Sequence, residues 1–314
     1  MQVVFAGTAE FAVPSLRACN ARHQVVAAVT QPARPGDRGR PAPRPVADAA
    51  VQLGIPLLQP ERIRAPEAVA EILALGADVL VVAAYGQIVP RALLDGHRLG
   101  GVNVHASLLP RWRGAAPIAR AILAGDRSTG VCIMRMEAGL DTGPVYTRRE
   151  VPIGAAATVP GLTETLAVAG AEELVAVLAG LERGTVAAVP QPDEGVTYAA
   201  RLTREDGMLD WPARSAAEVD RMVRALDPWP GVTGDLAGMG VRILAGRPVP
   251  AAEVEDLGSA GSTSDPARAI PGSVIRIEGE SAVVATAAGL YRIDTLQPPG
   301  RRAMSAAAFL RGRR

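Results

Sequence analysis

The chain has 314 residues, 48% of them hydrophobic and 3% aromatic, with 33 basic against 32 acidic residues and a formal net charge of +1. That length suits two folded domains, and the near-neutral balance excludes a uniformly basic protein that would coat nucleic acid. All of the basic residues are arginine, which excludes Schiff-base and P-loop chemistry that depends on a lysine. Cys19 and Cys132 are far apart and form no CxxC pair, so neither a disulfide framework nor a structural zinc site is expected and a reducing cytoplasm fits. Cys132, inside the apolar run VCIM, reads as a packing thiol rather than a nucleophile. The opening MQVVFAGTAEF has no basic region ahead of a long apolar stretch, and no uncharged apolar run reaches the length of a spanning helix. A soluble, cytoplasmic protein that does not enter the membrane is the expectation.

Along the first half, short apolar runs alternate with helical stretches. Val3 to Ala6, Val25 to Val29, Ile55 to Leu58, Val79 to Ala83 and Gly101 to Val104 read as strands. Pro14 to Ala21, Val46 to Leu53 and Ala65 to Leu75 read as the helices between them. Continuous apolar strands alternating with helices predict an α/β open sheet, mostly parallel and covered on both faces. Thr158 to Gly180 reads as one long helix, and VAAVPQPDEGVTYAAR after it as an extended linker. A helix over Ser215 to Leu226 stops at DPWPG. Short strands follow at Val241 to Leu244, Ser273 to Ile277, Ala282 to Ala285 and Leu290 to Ile293, with a small polar loop (255–271) among them. That spacing predicts a small β-barrel or sandwich. The expected segments are a domain over 1–188, a linker over 189–204 and a second domain over 205–314.

Motif searching removes several classes of function. FAGTAEF lacks the further glycines of a dinucleotide fingerprint, and neither GxSxG nor HExxH occurs. A three-histidine metal site would need His23, His97 and His105, every histidine in the chain, and no metal is expected. What survives is GGVNVHASLLPRWRGAAPI. Side chains alternate along a strand, so Asn103 and His105 share one side, at the end that borders the ligand crevice of an open α/β sheet. Asp141 lies downstream in the glycine-flanked loop of GLDTG. Alone it would be a turn former; with Asn103 and His105 it completes an amide, an imidazole and a carboxylate. Those groups suit acyl transfer to an amine with no covalent enzyme intermediate. The Asn103 amide can donate to the developing oxyanion. His105, whose protonated form a neighbouring carboxylate favours, can donate to it as well. His105, Asp141 or water can move the proton between nitrogens.

The run NVHASLLPRWRGAAPI with GLDTG downstream resembles the formyltransferases that use 10-formyltetrahydrofolate, with Ala106 where that family usually has glycine. The resemblance makes Asn103, His105 and Asp141 the catalytic trio. It makes Ser107, Leu108, Leu109 and Pro110 folate contacts, and adds Tyr85, Gly86, Ile88 and Val89 of the AYGQIVP loop. Its N-terminal domain would be Rossmann-like and its C-terminal domain an OB-like β-barrel. The match runs nearly end to end with the branch of the family that formylates initiator methionyl-tRNA, through VVFAGTAEFAVPSL, RLTREDGMLDW, PWPG and LQPPGRRAMSAAAFL. A sugar-nucleotide or purine-precursor amine is the alternative acceptor. The segment between Ala33 and Pro45 carries four arginines and one aspartate, a net +3. By itself it reads as a solvated, proline-stiffened loop. The resemblance instead makes Arg34, Arg38, Arg40 and Arg44 candidates for holding the tRNA acceptor end, with Arg40 the first choice. Arg301 and Arg302 open a C-terminal stretch of five arginines and no acid, either a basic tail or a grip on the tRNA backbone. The expected partners are 10-formyltetrahydrofolate and initiator methionyl-tRNA, engaged by a monomer.

Overall fold

The computed structural model describes residues 1–33, 43–253 and 269–312. Two compact units are present. The first takes Met1–Ile118, Arg127–Gly154 and Pro160–Ala200; the second takes Ala119–Asp126, Ala155–Val159 and Arg201–Arg314.

The first unit is built on a seven-stranded sheet of β1 (Gln2–Gly7), β2 (Gln24–Val29), β3 (Leu57–Leu58), β4 (Val79–Ala83), β5 (Gly101–His105), β7 (Ser128–Arg135) and β8 (Val145–Pro152), in the order β3-β2-β1-β4-β5-β7-β8. The strands from β3 to β5 are parallel, and the β5–β7 and β7–β8 pairs are antiparallel. The apolar runs account for this placement: Val3 to Ala6 and Val79 to Ala83 are buried on both sides, as interior parallel strands must be. Helices α1 (Val13–Arg22), α2 (Pro45–Gln52) and α3 (Pro66–Ala74) each carry a proline in the first turn, where its missing N–H costs nothing. The short helix α4 (Arg91–Gly96) sends Leu93 and Leu94 into a core with Val4, Leu80, Val82, Ile63 and Ile72.

Helix α6 (Val159–Arg183) covers the opposite face. Its Gly170 backbone lies so close to the sheet that a Cβ there would stand 2.7 Å from Val104 Cγ1 and 3.1 Å from Val131 Cγ2. Glycine in a helix costs about 1 kcal/mol relative to alanine, and here it permits the close approach. The strand order reverses between β1 and β4, so the crevice lies at the carboxyl ends of the central strands, where β4 and β5 deliver their following loops.

The second unit carries helix α7 (Ala216–Leu226) and an antiparallel sheet of β10 (Val232–Asp235), β11 (Gly240–Pro248), β12 (Val274–Glu278), β13 (Ser281–Ala285) and β14 (Leu290–Gln297), ordered β10-β11-β14-β13-β12, with β15 (Met304–Ser305) on β14. Ser215 caps α7 through a full capping box with Glu218. Its Val219, Met222, Val223 and Leu226 are buried, and α7 packs on β11 and β14. Helix α5 (Pro117–Ala124) had no counterpart in the sequence reading, nor had α8 (Ala306–Arg311). The latter falls inside the stretch read as a tail. Ser305 caps it, accepting from Ala308 N at 3.2 Å, and Phe309 and Leu310 anchor it in the core. Among the described residues no helix is long and apolar enough to cross a membrane.

The expected linker differs most from what is found. Residues 189–200 belong to the first unit. Val189 forms a two-bond bridge with Val145, and β9 (Tyr198–Ala199) pairs with β6 (Arg113–Gly114). The prolines stop a helix there without preventing isolated ladder bonds, so absence of helical period did not mean absence of contact.

Candidate active site

Strand β5 ends on His105, and its pairing places the polar residues. Asn103 lies opposite Val82 of β4 and Met134 of β7, and His105 lies opposite Cys132. Asn103, His105, Cys132 and Met134 therefore share one face, and Val104 turns to α6. Cys132 is fully buried in a small cluster with Leu109, Met134 and Val145, and burial pushes its thiol up to about 11. It is a packing residue beneath the imidazole and has no thiolate character at neutral pH.

His105 is 6% exposed. Its Nε2 lies 2.8 Å from the Trp112 carbonyl oxygen, so Nε2 carries the proton and donates. Its Nδ1 lies 3.7 Å from Asp141 Oδ2, an ion-pair separation rather than a hydrogen bond. Both ring nitrogens thus face oxygen acceptors, Nε2 the Trp112 carbonyl and Nδ1 the Asp141 carboxylate. The Asp141 carboxylate is itself held, since Oδ2 accepts from Gly114 N at 2.8 Å. Gly114 has φ +122, and a Cβ there would stand 2.6 Å from the Ala199 carbonyl oxygen. Only glycine lets β6 meet β9 while aiming its N–H at the carboxylate. Among the described residues the Asn103 side chain makes no hydrogen bond and is half-buried.

The trio expected from sequence is therefore brought together on one unit. The other expected residues are distributed around it. Ser107 is fully buried and donates from Oγ to the Trp112 carbonyl at 3.2 Å, sharing that acceptor with His105. Leu109 is buried in the cluster with Cys132, whereas Leu108 and Pro110 are half-exposed. In the loop after β4, Ile88 is 86% exposed and Val89 half-buried. The Tyr85 ring, however, is in the core with Ile63 and Leu93, where burial pushes its phenol up to about 12. Its carbonyl accepts from Thr8 Oγ1 and Gln31 Nε2, next to the positive-φ Gly86. Tyr85 thus gives its ring to the core and its carbonyl to the loop.

Arg34, Arg38 and Arg40 lie outside the described residues. Arg44 sits ahead of α2, paired with Asp48 at 3.2 Å, and lines a cavity with Thr8, Thr30, Gln31 and Ala47. Arg301 and Arg302 are exposed, and their guanidinium groups have no partner among the described residues. Three positions escaped the sequence reading: Trp112, Gln191 and Thr197. Gln191 Nε2 donates to the carbonyls of Asp141 and Gly143 at 2.7 and 2.8 Å. Thr197 Oγ1 accepts from Trp112 N at 3.1 Å. No three His, Cys, Asp or Glu side chains among the described residues group as metal ligands would.

An amide and an imidazole on one face of β5, with a carboxylate 3.7 Å from the imidazole, lie at the carboxyl end of a Rossmann-like sheet. The chain belongs to the formyl transferase family, whose N-terminal profile matches residues 1–178 and whose C-terminal domain profile matches residues 201–314. It is 47% identical to the methionyl-tRNA formyltransferase of Gluconobacter oxydans, over 99% of this chain and 97% of that protein. With the methionyl-tRNA formyltransferase of Xanthomonas euvesicatoria it shares 46% identity over 100% and 98%. Among solved structures, the fold is like that of a sugar 3N-formyl transferase, WlaRD, in the presence of dTDP and 5-N-formyl-THF (TM-score 0.65, 14% identity, 96% of this chain and 99% of that one). It is also like HypX from Aquifex aeolicus in complex with tetrahydrofolic acid (TM-score 0.63, 19% identity, 99% of this chain), of which it spans about half, 47%.

Proposed function

We propose that the protein transfers the formyl group of 10-formyltetrahydrofolate to the methionine amino group of initiator methionyl-tRNA. The observation that carries this reading is a likeness to methionyl-tRNA formyltransferases of 46–47% identity along the whole chain, supported by Asn103 and His105 on one face of β5 and Asp141 3.7 Å from the His105 ring. The neutral amine attacks the formyl carbon, making a tetrahedral intermediate with a negative oxygen and a positive nitrogen. The Asn103 amide, unengaged among the described residues, donates to that oxygen. His105 Nδ1 and Asp141 take the proton from the ammonium and return it to the departing N10 as the N10–carbon bond breaks. The products are the formylated amine and tetrahydrofolate, with protons balanced and no acyl-enzyme.

Ser107 to Pro110 and Gly86 to Val89 form the folate side of the crevice in this reading, with Tyr85 beneath them. Arg301 and Arg302 take tRNA phosphates, and Arg44 acts with Arg34, Arg38 and Arg40 at the acceptor end. The buried free cysteines fit a cytoplasmic setting, and we read the protein as a monomer. The deciding assay supplies 10-formyltetrahydrofolate with methionyl initiator tRNA, methionyl elongator tRNA, glycinamide ribonucleotide or an amino-sugar nucleotide. Formylation of the initiator tRNA far above the others is expected. Formylation of a small-molecule amine with no aminoacyl-tRNA product would replace this reading by its alternative.

A further inference from the structure

The two polar groups that face the His105 ring have an unusual feature in common. Asp141 (φ +51) and Trp112 (φ +63) both sit in left-handed backbone, a conformation that non-glycine residues hold only where the surroundings over-determine it. In both cases part of those surroundings comes from the same short segment, 189–199. At one end Val189 bonds Val145 in both directions, at 2.8 and 2.9 Å. Gln191 then spends its whole hydrogen-bonding capacity on the site. Nε2 donates to the carbonyls of Asp141 and Gly143, and Oε1 accepts from Arg113 Nε at 3.1 Å and Nη2 at 2.8 Å. At the other end Thr197 Oγ1 accepts from Trp112 N, its carbonyl accepts from Arg113 N at 2.9 Å, and its N–H donates to Pro110 O at 3.3 Å. The Ala199 carbonyl packs under Gly114, whose N–H holds the Asp141 carboxylate.

We propose that residues 189–199 are a positioning strap for His105, in which Gln191 sets the Asp141 loop on the Nδ1 side and Thr197 sets the Trp112 carbonyl on the Nε2 side. Neither side chain touches reactants; each acts through the acceptor it fixes. The inference rests on the reading of His105 and Asp141 as catalytic groups. The chemistry of Gln191 is specific. An amide supplies two N–H donors and an acceptor, which the two carbonyls and Arg113 consume. Glutamate would keep the Arg113 pairing and turn an acceptor toward both carbonyls, whereas leucine would keep the volume and lose every bond. For Thr197, valine removes only the hydroxyl and serine retains it.

The test compares Gln191→Leu, Gln191→Glu, Thr197→Val and Thr197→Ser in steady-state formylation of methionyl-tRNA. Ring ¹⁵N shifts of His105 are recorded on labelled protein; they report which nitrogens carry protons. The chain has three histidines, and His105→Gln identifies the resonances. Gln191→Leu, Gln191→Glu and Thr197→Val are each expected to lower kcat about 10- to 100-fold, as ångström-scale misplacement does, with KM for both substrates changed by no more than about twofold. The His105 ring shifts should move in the same variants, and Thr197→Ser should restore both kcat and the shifts. Wild-type kcat in Gln191→Leu and Thr197→Val overturns the proposal, as does a loss of kcat with unmoved His105 shifts. If Gln191→Leu does not fold, the Thr197→Val and Thr197→Ser pair decides alone. Asp141→Asn and His105→Gln are measured alongside. Retained turnover in those two removes the catalytic reading itself, whereas their loss with intact strap variants removes only the strap.

Discussion

Asn103→Ala separates a group kept for chemistry from a group kept for folding. Within the described residues the Asn103 amide makes no hydrogen bond and is half-buried, so its removal leaves no orphaned partner behind. Such a substitution changes unfolding free energy by about 0.5 kcal/mol or less. If the amide is the oxyanion donor, the same change removes about 2.7–4 kcal/mol of transition-state stabilisation, a fall of about 100- to 1,000-fold in kcat. Ser107→Ala supplies the contrast, because Ser107 is fully buried and its hydroxyl donates to the Trp112 carbonyl. It should cost about 1 kcal/mol of stability. Single-turnover formylation at saturating substrate, paired with urea unfolding of the same preparations, measures both quantities. A kcat within about threefold of wild type would refute the oxyanion role. So would a large drop in stability that accounts for the lost activity, because Asn103 would then be a structural residue.

Gly114→Ala is expected to lower kcat about 100-fold, since a Cβ would meet the Ala199 carbonyl at 2.6 Å and displace the N–H that holds Asp141. The control Gly184→Ala, also at positive φ (+67) but with nothing within 4 Å of the added carbon, should lose about 1–2 kcal/mol of stability and keep its turnover. Burial pushes the Asp206 carboxyl up, but hydrogen bonds from Arg120 and the Thr203 backbone outweigh it and hold the carboxyl below its ordinary range. A depressed folded-state value contributes stability above the unfolded value of about 4 and loses it as pH falls through the folded one. Wild type should therefore lose more unfolding free energy than Asp206→Asn between about pH 5 and pH 3, as measured by urea titration. Replacing Arg301 and Arg302 together by glutamine should reduce the salt dependence of tRNA binding by about one to two units of log–log slope, leaving folate binding unchanged; an unchanged slope would place the phosphates elsewhere.

The parallel half of the fold could be read from the sequence because its strands are buried on both faces and so consist of unbroken apolar runs. Val79 to Ala83 has the expected boundaries, and the helices before it shift by a residue at each end. The shared face of Asn103 and His105 was readable for a different reason: strand alternation puts them on one side whatever the tertiary fold. Helix α8 was hidden because arginines dominate its surroundings, and its buried face amounts to Ala306, Ala307, Phe309 and Leu310. That is too short a run to give a period. Tyr85 illustrates a different limit: residue type alone does not show that its ring packs with Ile63 and Leu93 while its carbonyl accepts from Thr8 and Gln31.

Gln191 and Thr197 had no readable signal, and the reason is physical. Apart from the Arg113 guanidinium on Gln191 Oε1, their side-chain partners are backbone groups 48 to 85 positions away, and a backbone donor or acceptor leaves no trace in residue type. What the sequence does show around them, two prolines and no helical period, is equally the pattern of a free linker. The distinguishing property is the left-handed backbone of Asp141 and Trp112, which sequence hints at for Asp141, between its glycines, and hides for Trp112. A catalytic imidazole needs both nitrogens placed, one by a carboxylate and one by a carbonyl. Here each acceptor belongs to a residue in left-handed backbone. On the strap proposal, the segment that bonds to both residues belongs to the site as fully as the residues beside the ring.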